Sequence, residues 1–116
     1  AQTKERKYVI VVEGPFDAVA VDGVAIGGNK INYSQATIIN QLNKDVIFVP
    51  DQDKPGMEMV RQVVDLGWSV SFPPWDEAKD CAEAVSAYGR LFTLTSILEF
   101  TEYNTIKIQV KAKQWK

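Results

Sequence analysis

Residues 8–17 have the sequence YVIVVEGPFD, an apolar run that ends at a carboxylate. Five β-forming residues without a polar break are typical of a strand that is buried on both faces of a sheet. Glu13 follows directly, and Gly14 and Pro15 then permit a tight turn and the first turn of a helix. We therefore expect Glu13 at the carboxyl end of a central strand, with Asp17 about one helical turn further on. In open parallel sheets, ligands bind at that edge.

A second apolar run, DVIFVP at residues 45–50, also ends in carboxylates, those of Asp51 and Asp53. The carboxyl ends of parallel strands meet at the same edge of a sheet. The sequence therefore predicts that both groups of acids lie together at one edge.

The remaining pattern alternates strands and helices with short connections. Apolar residues at helical spacing are expected on the inner faces of the helices, among them Phe16, Val19 and Ala20 in the first helix. Strands are predicted over 8–12, 23–26, 45–49 and 68–72, and helices over 15–21, 34–42, 55–66 and from an acidic turn at 76–80 to Gly89. This order predicts a three-layer α/β fold, a parallel sheet of about four strands with helices on both faces.

The C-terminal part of the chain has a different pattern. A helix is predicted over 95–103, and residues 105–112 alternate apolar and polar side chains, as an edge strand or an unpaired segment would. We expect one domain over 1–90, followed at 91–116 by a helix and a lysine-rich extension that continues into another region of a longer protein. An exposed alternating segment could also pair with a second copy.

The amino-acid composition excludes several kinds of functional site. The chain has 116 residues, a net charge of −2, one cysteine and no histidine. Internal disulfides, histidine-based catalytic triads and histidine-containing zinc sites are therefore excluded, and a single cysteine suits a reducing compartment. No apolar run is long enough for a membrane span, and the polar N-terminus resembles no secretory signal. We expect a cytoplasmic protein without a membrane partner.

Carboxylates remain as the candidate functional groups. Glu13, Asp17, Asp51 and Asp53 converge at the predicted edge, together with one or both of Asp76 and Asp80. Like charges held close together destabilise a fold unless a counterion neutralises them. Oxygen ligands favour Mg²⁺, Mn²⁺ or Ca²⁺, and a pair of Mg²⁺ ions can activate a hydroxyl and stabilise a leaving oxygen.

These residues resemble the motifs of the Toprim domain, which is found in bacterial-type primases, topoisomerases and some nucleases and recombination proteins. EGPFD at 13–17 resembles its strand-ending Glu-Gly with an acid four residues after the Glu, and Asp51-Gln52-Asp53 resembles its DxD motif. DQDKPG at 51–56 and the Lys79-Asp80 segment are most similar to primases, phage-type ones in particular.

The resemblance implies a metal-dependent nucleotidyl transferase that makes RNA primers for DNA replication. It implies metal ligands at Glu13, Asp17, Asp51, Asp53 and Asp80, and catalytic roles for Glu13, Asp51 and Asp53, with Glu13 as general acid/base. Implied partners are a single-stranded DNA template, nucleoside triphosphates and a replicative helicase, in a bacterial or phage-infected cell. The zinc-ribbon cysteines and the basic template-binding part of primases are not in this sequence.

Other interpretations of the same residues stay open. A nuclease of the same superfamily would use the same acids with water, and some Toprim modules are non-catalytic interaction domains. Asp51 and Asp53 could instead complement a helix dipole, and Asp80 could be a helix N-cap. Lys79 could contact phosphate or solvent only. Cys81 is expected to be a small core residue. Trp68 and Trp75 are expected to be packing groups, with Trp75 the more exposed of the two.

Overall fold

The computed structural model describes residues 7–26, 33–42, 44–51, 54–76 and 78–114. Within these residues, five strands form one sheet in the order β2-β1-β3-β4-β5, in which the first four are parallel and β5 runs antiparallel to β4. The strands are β1 (Tyr8–Val12), β2 (Val24–Ala25), β3 (Asp45–Phe48), β4 (Ser69–Ser71) and β5 (Thr101–Glu102). The helices are α1 (Pro15–Val21), α2 (Tyr33–Asn40), α3 (Lys54–Asp65), α4 (Cys81–Tyr88), α5 (Arg90–Glu99) and α6 (Thr105–Gln114). The predicted α/β fold is confirmed.

The two central strands are in a register that aligns their carboxyl ends. Tyr8 lies opposite Asp45 and Val11 opposite Phe48. The pairing continues beyond β3, since the amide of Val49 donates to the carbonyl of Val11 at 2.9 Å. The residues that follow β1 and β3 therefore emerge at one edge of the sheet.

Alternate side chains of β1 point to opposite faces of the sheet, as the period of a strand requires. Val9 and Val11 pack into a core with residues of α2, α3 and α6, such as Ile39, Val63 and Ile108. Ile10 and Val12 pack into a second core with residues of α1, α4 and α5, such as Val21, Ala84 and Ile97. The sheet is thus covered on both faces, which explains why β1 is continuously apolar.

The prediction of which side chains of α1 face the protein interior is wrong. Phe16 and Val19 are 83% and 78% exposed, whereas Asp17 and Val21 are buried. Ala18 packs against the same core as Val21. The helix is rotated so that a carboxylate faces the protein, and the buried acid has a backbone partner there.

The predictions for the C-terminal part are also wrong in detail. The helix predicted over 95–103 is α5, which runs over Arg90–Glu99, and residues 101–102 form β5 against β4. Residues 105–112 lie within α6 rather than in a strand or an unpaired segment. Asn104 begins this helix, because its Oδ1 accepts a hydrogen bond from the amide of Lys107 at 3.1 Å. The division of the chain at residue 90 stays a prediction.

Trp68 and Trp75 are both buried, which confirms that they are packing groups. Trp75 is 7% exposed and its indole Nε1 donates to Ser96 Oγ at 2.9 Å. Trp68 is 5% exposed and donates to Asn40 Oδ1 at 2.8 Å. Each polar indole nitrogen is satisfied, as buried tryptophan requires. Within the described ranges, no helix is both long and apolar enough to span a bilayer.

Candidate metal centre

Asp17 reaches the edge of the sheet from the first turn of α1. Gly14 precedes this helix with extended backbone, and Pro15 occupies its first turn. Asp17 Oδ1 accepts a hydrogen bond from the amide of Ala82, 65 residues away in α4, at 2.7 Å. That amide is one of the donors that a helix N-terminus leaves unpaired, so the bond helps to satisfy both groups.

Asp51 and Glu13 meet at the adjoining ends of β3 and β1. The backbone amide of Asp51 donates to Glu13 Oε2 at 3.0 Å. Both residues are half-buried. Because this bond joins the two chain segments just beyond the paired strands, it fixes the position at which Asp51 leaves the sheet.

Asp80 is the N-cap of α4. Its Oδ1 accepts a hydrogen bond from the amide of Glu83 at 2.8 Å, and Glu83 Oε1 in turn accepts from the amide of Lys79 at 2.8 Å. This reciprocal pair closely resembles a capping box. The N-cap interpretation of Asp80 is therefore confirmed. Its carboxylate can nevertheless lie close to the other acids at this edge of the sheet.

Asp17, Asp51 and Asp80 each bring one carboxylate oxygen to a common place, where these atoms lie within 4.8 Å of one another. Asp17 is buried, and Asp51 and Asp80 are half-buried. We call these three residues the acidic triad. A single divalent cation could contact all three, and carboxylate oxygens are the ligands that Mg²⁺ and Mn²⁺ prefer. The donor set therefore fits the metal that the sequence predicts.

The pKa of Asp17 is raised to about 6. Burial is the largest cause, the charges of Asp80 and Glu83 and a side-chain hydrogen bond with Asp80 also raise it, and the hydrogen bond from the Ala82 amide opposes them. Burial also raises the pKa of the Cys81 thiol, with smaller contributions from the acidic triad. Cys81 is 2% exposed and belongs to the core beside α1. It is a small core residue, as predicted, and its thiol stays protonated.

Of the other predicted acids, the structure describes Glu13 and Asp76, and neither belongs to the acidic triad. Glu13 lies outside the acidic triad and contacts the backbone of Asp51. Asp76 is exposed and lines a cavity of about 190 Å³ between the β4–α4 connection and α5. Asp53 lies outside the described residues. The roles of Glu13 and Asp53 as ligands or catalytic groups stay predictions.

Sequence reasoning missed Glu83. The spacing of Asp80 and Glu83, an acid followed three residues later by a glutamate before an apolar stretch, is the signature of a capping box and could have revealed it. The partnership of Asp17 with Ala82 had no comparable signal, because it joins residues distant in sequence.

A family model described as Toprim-like matches residues 10–85. The chain belongs to the Toprim-like family. The match covers α1, the acidic triad and most of α4, and so includes every part of the candidate metal centre. No protein with a curated description matches the sequence.

Solved structures of primases share the Toprim-like fold of this chain. A DNA primase domain from Pseudomonas aeruginosa is 19% identical, with a TM-score of 0.66 over 86% of this chain and 35% of its own. The primase of Aquifex aeolicus, comprising zinc-binding and RNA polymerase domains, is 24% identical, with a TM-score of 0.65 over 83% and 26%. The DnaG primase catalytic domain bound to single-stranded DNA is 18% identical, with a TM-score of 0.64 over 82% and 34%. The chain thus spans about a third or less of the length of these primase chains.

Proposed function

We propose that this chain is the metal-dependent nucleotidyl-transfer domain of a DNA primase, acting within a longer protein in a bacterial or phage-infected cell. The observation that carries the proposal is the acidic triad, in which three carboxylates from three separate elements meet at the carboxyl edge of a parallel sheet. The similarity of the fold to primase catalytic domains supports the choice of reaction.

The residues of the site would have different roles in catalysis. The acidic triad would hold Mg²⁺ or Mn²⁺, with further contributions from Glu13 and Asp53. The bound metal would neutralise the triphosphate of an incoming ribonucleotide and lower the pKa of the primer hydroxyl that attacks it. Glu13, held at the edge of the sheet by the Asp51 amide, is the proposed acceptor of the hydroxyl proton. Positioning and charge neutralisation supply most of the acceleration in phosphoryl transfer.

The partners of the whole protein belong to the same proposal. A single-stranded DNA template and nucleoside triphosphates would bind through the longer protein, and a replicative helicase would be its partner at the fork. The primase catalytic domain bound to single-stranded DNA supports the template assignment.

Calorimetric titration of Mg²⁺ and Mn²⁺ into the chain tests the metal site. We expect binding by the wild type and its loss in an Asp51→Ala, Asp53→Ala double variant that stays folded. Asp76→Ala is the matched control, since this exposed acid lies outside the triad and its removal should leave binding unchanged.

Absence of binding at millimolar metal, both alone and with a nucleoside triphosphate, would contradict the proposal. If metal binds, the longer protein should next be assayed for primer synthesis on single-stranded DNA. Degradation of that DNA in Mn²⁺ without primer synthesis would favour a nuclease of the same superfamily instead.

A further inference from the structure

We infer that Glu83 is a positioning residue for the candidate metal centre, one that holds Asp80 in the orientation in which its carboxylate faces Asp17 and Asp51. This inference rests on the proposed function, because it concerns the affinity of the same site for a divalent cation.

Asp80 is attached to the sheet in a different way from Asp17 and Asp51. Asp17 lies in the first turn of the helix after β1, and Asp51 lies three residues after the end of β3, so the paired central strands determine where both leave the sheet. Asp80 comes instead at the end of the connection between β4 and α4, residues 72–80. Besides its side-chain hydrogen bond with Asp17, its position therefore depends on local contacts at the start of α4.

Those contacts are two hydrogen bonds that close on each other. The Glu83 amide donates to Asp80 Oδ1 and Glu83 Oε1 accepts from the Lys79 amide, both at 2.8 Å. The first bond orients the carboxylate of Asp80, and the second holds the backbone immediately before it. Together they fix both the side chain and the turn on which it is carried.

Electrostatics makes this restraint necessary. Without a cation, Asp80 lies within 4.8 Å of two other carboxylates, whose charges favour its rotation toward solvent. A cation binds the arrangement in which all three acids face one another. If only a fraction of molecules has that arrangement, the apparent dissociation constant rises by the inverse of the fraction. The capping pair raises that fraction in the metal-free protein.

Mn²⁺ binding, followed by the loss of the electron paramagnetic resonance signal of the free ion, tests the inference on the whole chain. We expect Glu83→Ala to bind Mn²⁺ about 10-fold more weakly than the wild type, at the lower end of the loss usual for outer-shell partners of metal ligands. Glu83→Gln retains an acceptor of the same reach and should bind within about twofold of the wild type. Glu83→Asp retains the charge but shortens the reach to Lys79, so it should resemble Glu83→Ala.

Asn104→Ala provides a matched control. Asn104 caps α6 through the amide of the residue three positions on, as Asp80 caps α4. Its loss should lower the thermal midpoint, as Glu83→Ala does, yet leave the affinity for Mn²⁺ unchanged. A cap that acts only on stability would give the same result at both helices.

Three outcomes would overturn the inference. Unchanged affinity in Glu83→Ala, or in Glu83→Asp if the alanine variant does not fold, would show that Asp80 needs no such support. Equal weakening in Glu83→Gln would show that charge rather than the hydrogen bond matters. A wild type that does not bind Mn²⁺ with or without nucleotide would refute the proposed function as well, whereas the first two results would leave it standing.

Discussion

Replacing Asp17 by asparagine should stabilise the metal-free protein at neutral and alkaline pH. The pKa of Asp17 is raised from 3.8 to about 6 in the folded chain, mainly by burial. Between those values the native state binds more protons than the unfolded chain, so the free energy of unfolding falls as pH rises from about 4 to about 6. Above the folded pKa the loss is complete and the free energy becomes constant with respect to this group.

The magnitude follows from the two pKa values. Their difference corresponds to at most about 3 kcal/mol. Asp51 and Asp80 are half-buried, so solvent reaches the site and screens part of this electrostatic cost. We therefore expect Asp17→Asn to raise the free energy of unfolding by about 1–2 kcal/mol. The amide oxygen of asparagine can still accept the hydrogen bond that Ala82 donates to Asp17 at 2.7 Å. No gain is expected at about pH 4, where the carboxylate is largely protonated in the native state.

Urea unfolding in the presence of a chelator, measured at intervals between about pH 4 and pH 8, is the assay. Asp45→Asn is the control, because this exposed acid at the start of β3 lies at the opposite end of the strand from the triad. Millimolar Mg²⁺ should then raise the stability of the wild type more than that of Asp17→Asn. An asparagine variant that is less stable than the wild type at pH 8 would refute the reasoning, since it would mean that the ionised carboxylate stabilises the fold.

Three further substitutions test the packing around the site. Gly23→Ala should destabilise the protein by about 2–3 kcal/mol in urea, because its Cβ would lie 2.5 Å from the carbonyl oxygen of Ile10 in the central strand; an unchanged midpoint would contradict that close approach. Gly14→Ala should keep the fold but weaken Mn²⁺ binding, since its Cβ would lie 3.1 Å from Asp17 Oδ2 and displace that oxygen; unaltered affinity in calorimetry would count against the triad. Trp75→Phe should lower the free energy of unfolding by about 1–3 kcal/mol, because a buried hydrogen bond and part of the indole volume are lost. A decrease below about 0.5 kcal/mol would show that the indole is not packed as described.

The central sheet and the proximity of Glu13 and Asp51 could be predicted, because both follow from patterns that are local in sequence. A continuous apolar run, such as residues 8–12, indicates a strand covered on both faces. Two such runs joined through βα units have to lie parallel, and the neighbouring positions of β1 and β3 confirm this. Acids that follow them directly then share an edge, which is why Asp51 and the end of β1 were correctly expected to lie together.

The orientation of α1 could not be predicted in the same way. A pattern of hydrophobicity assumes that apolar side chains face inward, and it selected Phe16 and Val19 for that reason. The structure buries Asp17 instead, because the Ala82 amide provides a hydrogen bond that offsets part of the cost of burial. A partner that distant in sequence leaves no trace in a local pattern.

Residues 105–112 show a second limit. Their alternation of apolar and polar residues matches a strand, yet lysine, glutamine and alanine are good helix formers and the segment forms α6. Of the isoleucine and valine side chains at 106, 108 and 110, that of Ile108 is buried, while Ile106 and Val110 are 72% and 49% exposed. Ile108 packs into the core beside α3, and Asn104 caps the helix. These two contacts stabilise a helix even though the sequence alternates as a strand would.

The origin of each acid in the triad determines which one limits metal affinity. Asp51 follows a strand whose register with β1 is fixed by hydrogen bonds, and Asp17 lies in a helix joined to α4 by the Ala82 amide. Asp80 alone of the three depends on a turn whose two capping bonds are exposed to solvent. Exposed bonds open at lower free energy than buried ones, so fluctuations of the site should concentrate at Asp80. Changes near residues 79–83 should therefore alter the affinity for a cation more than equally destabilising changes in the sheet.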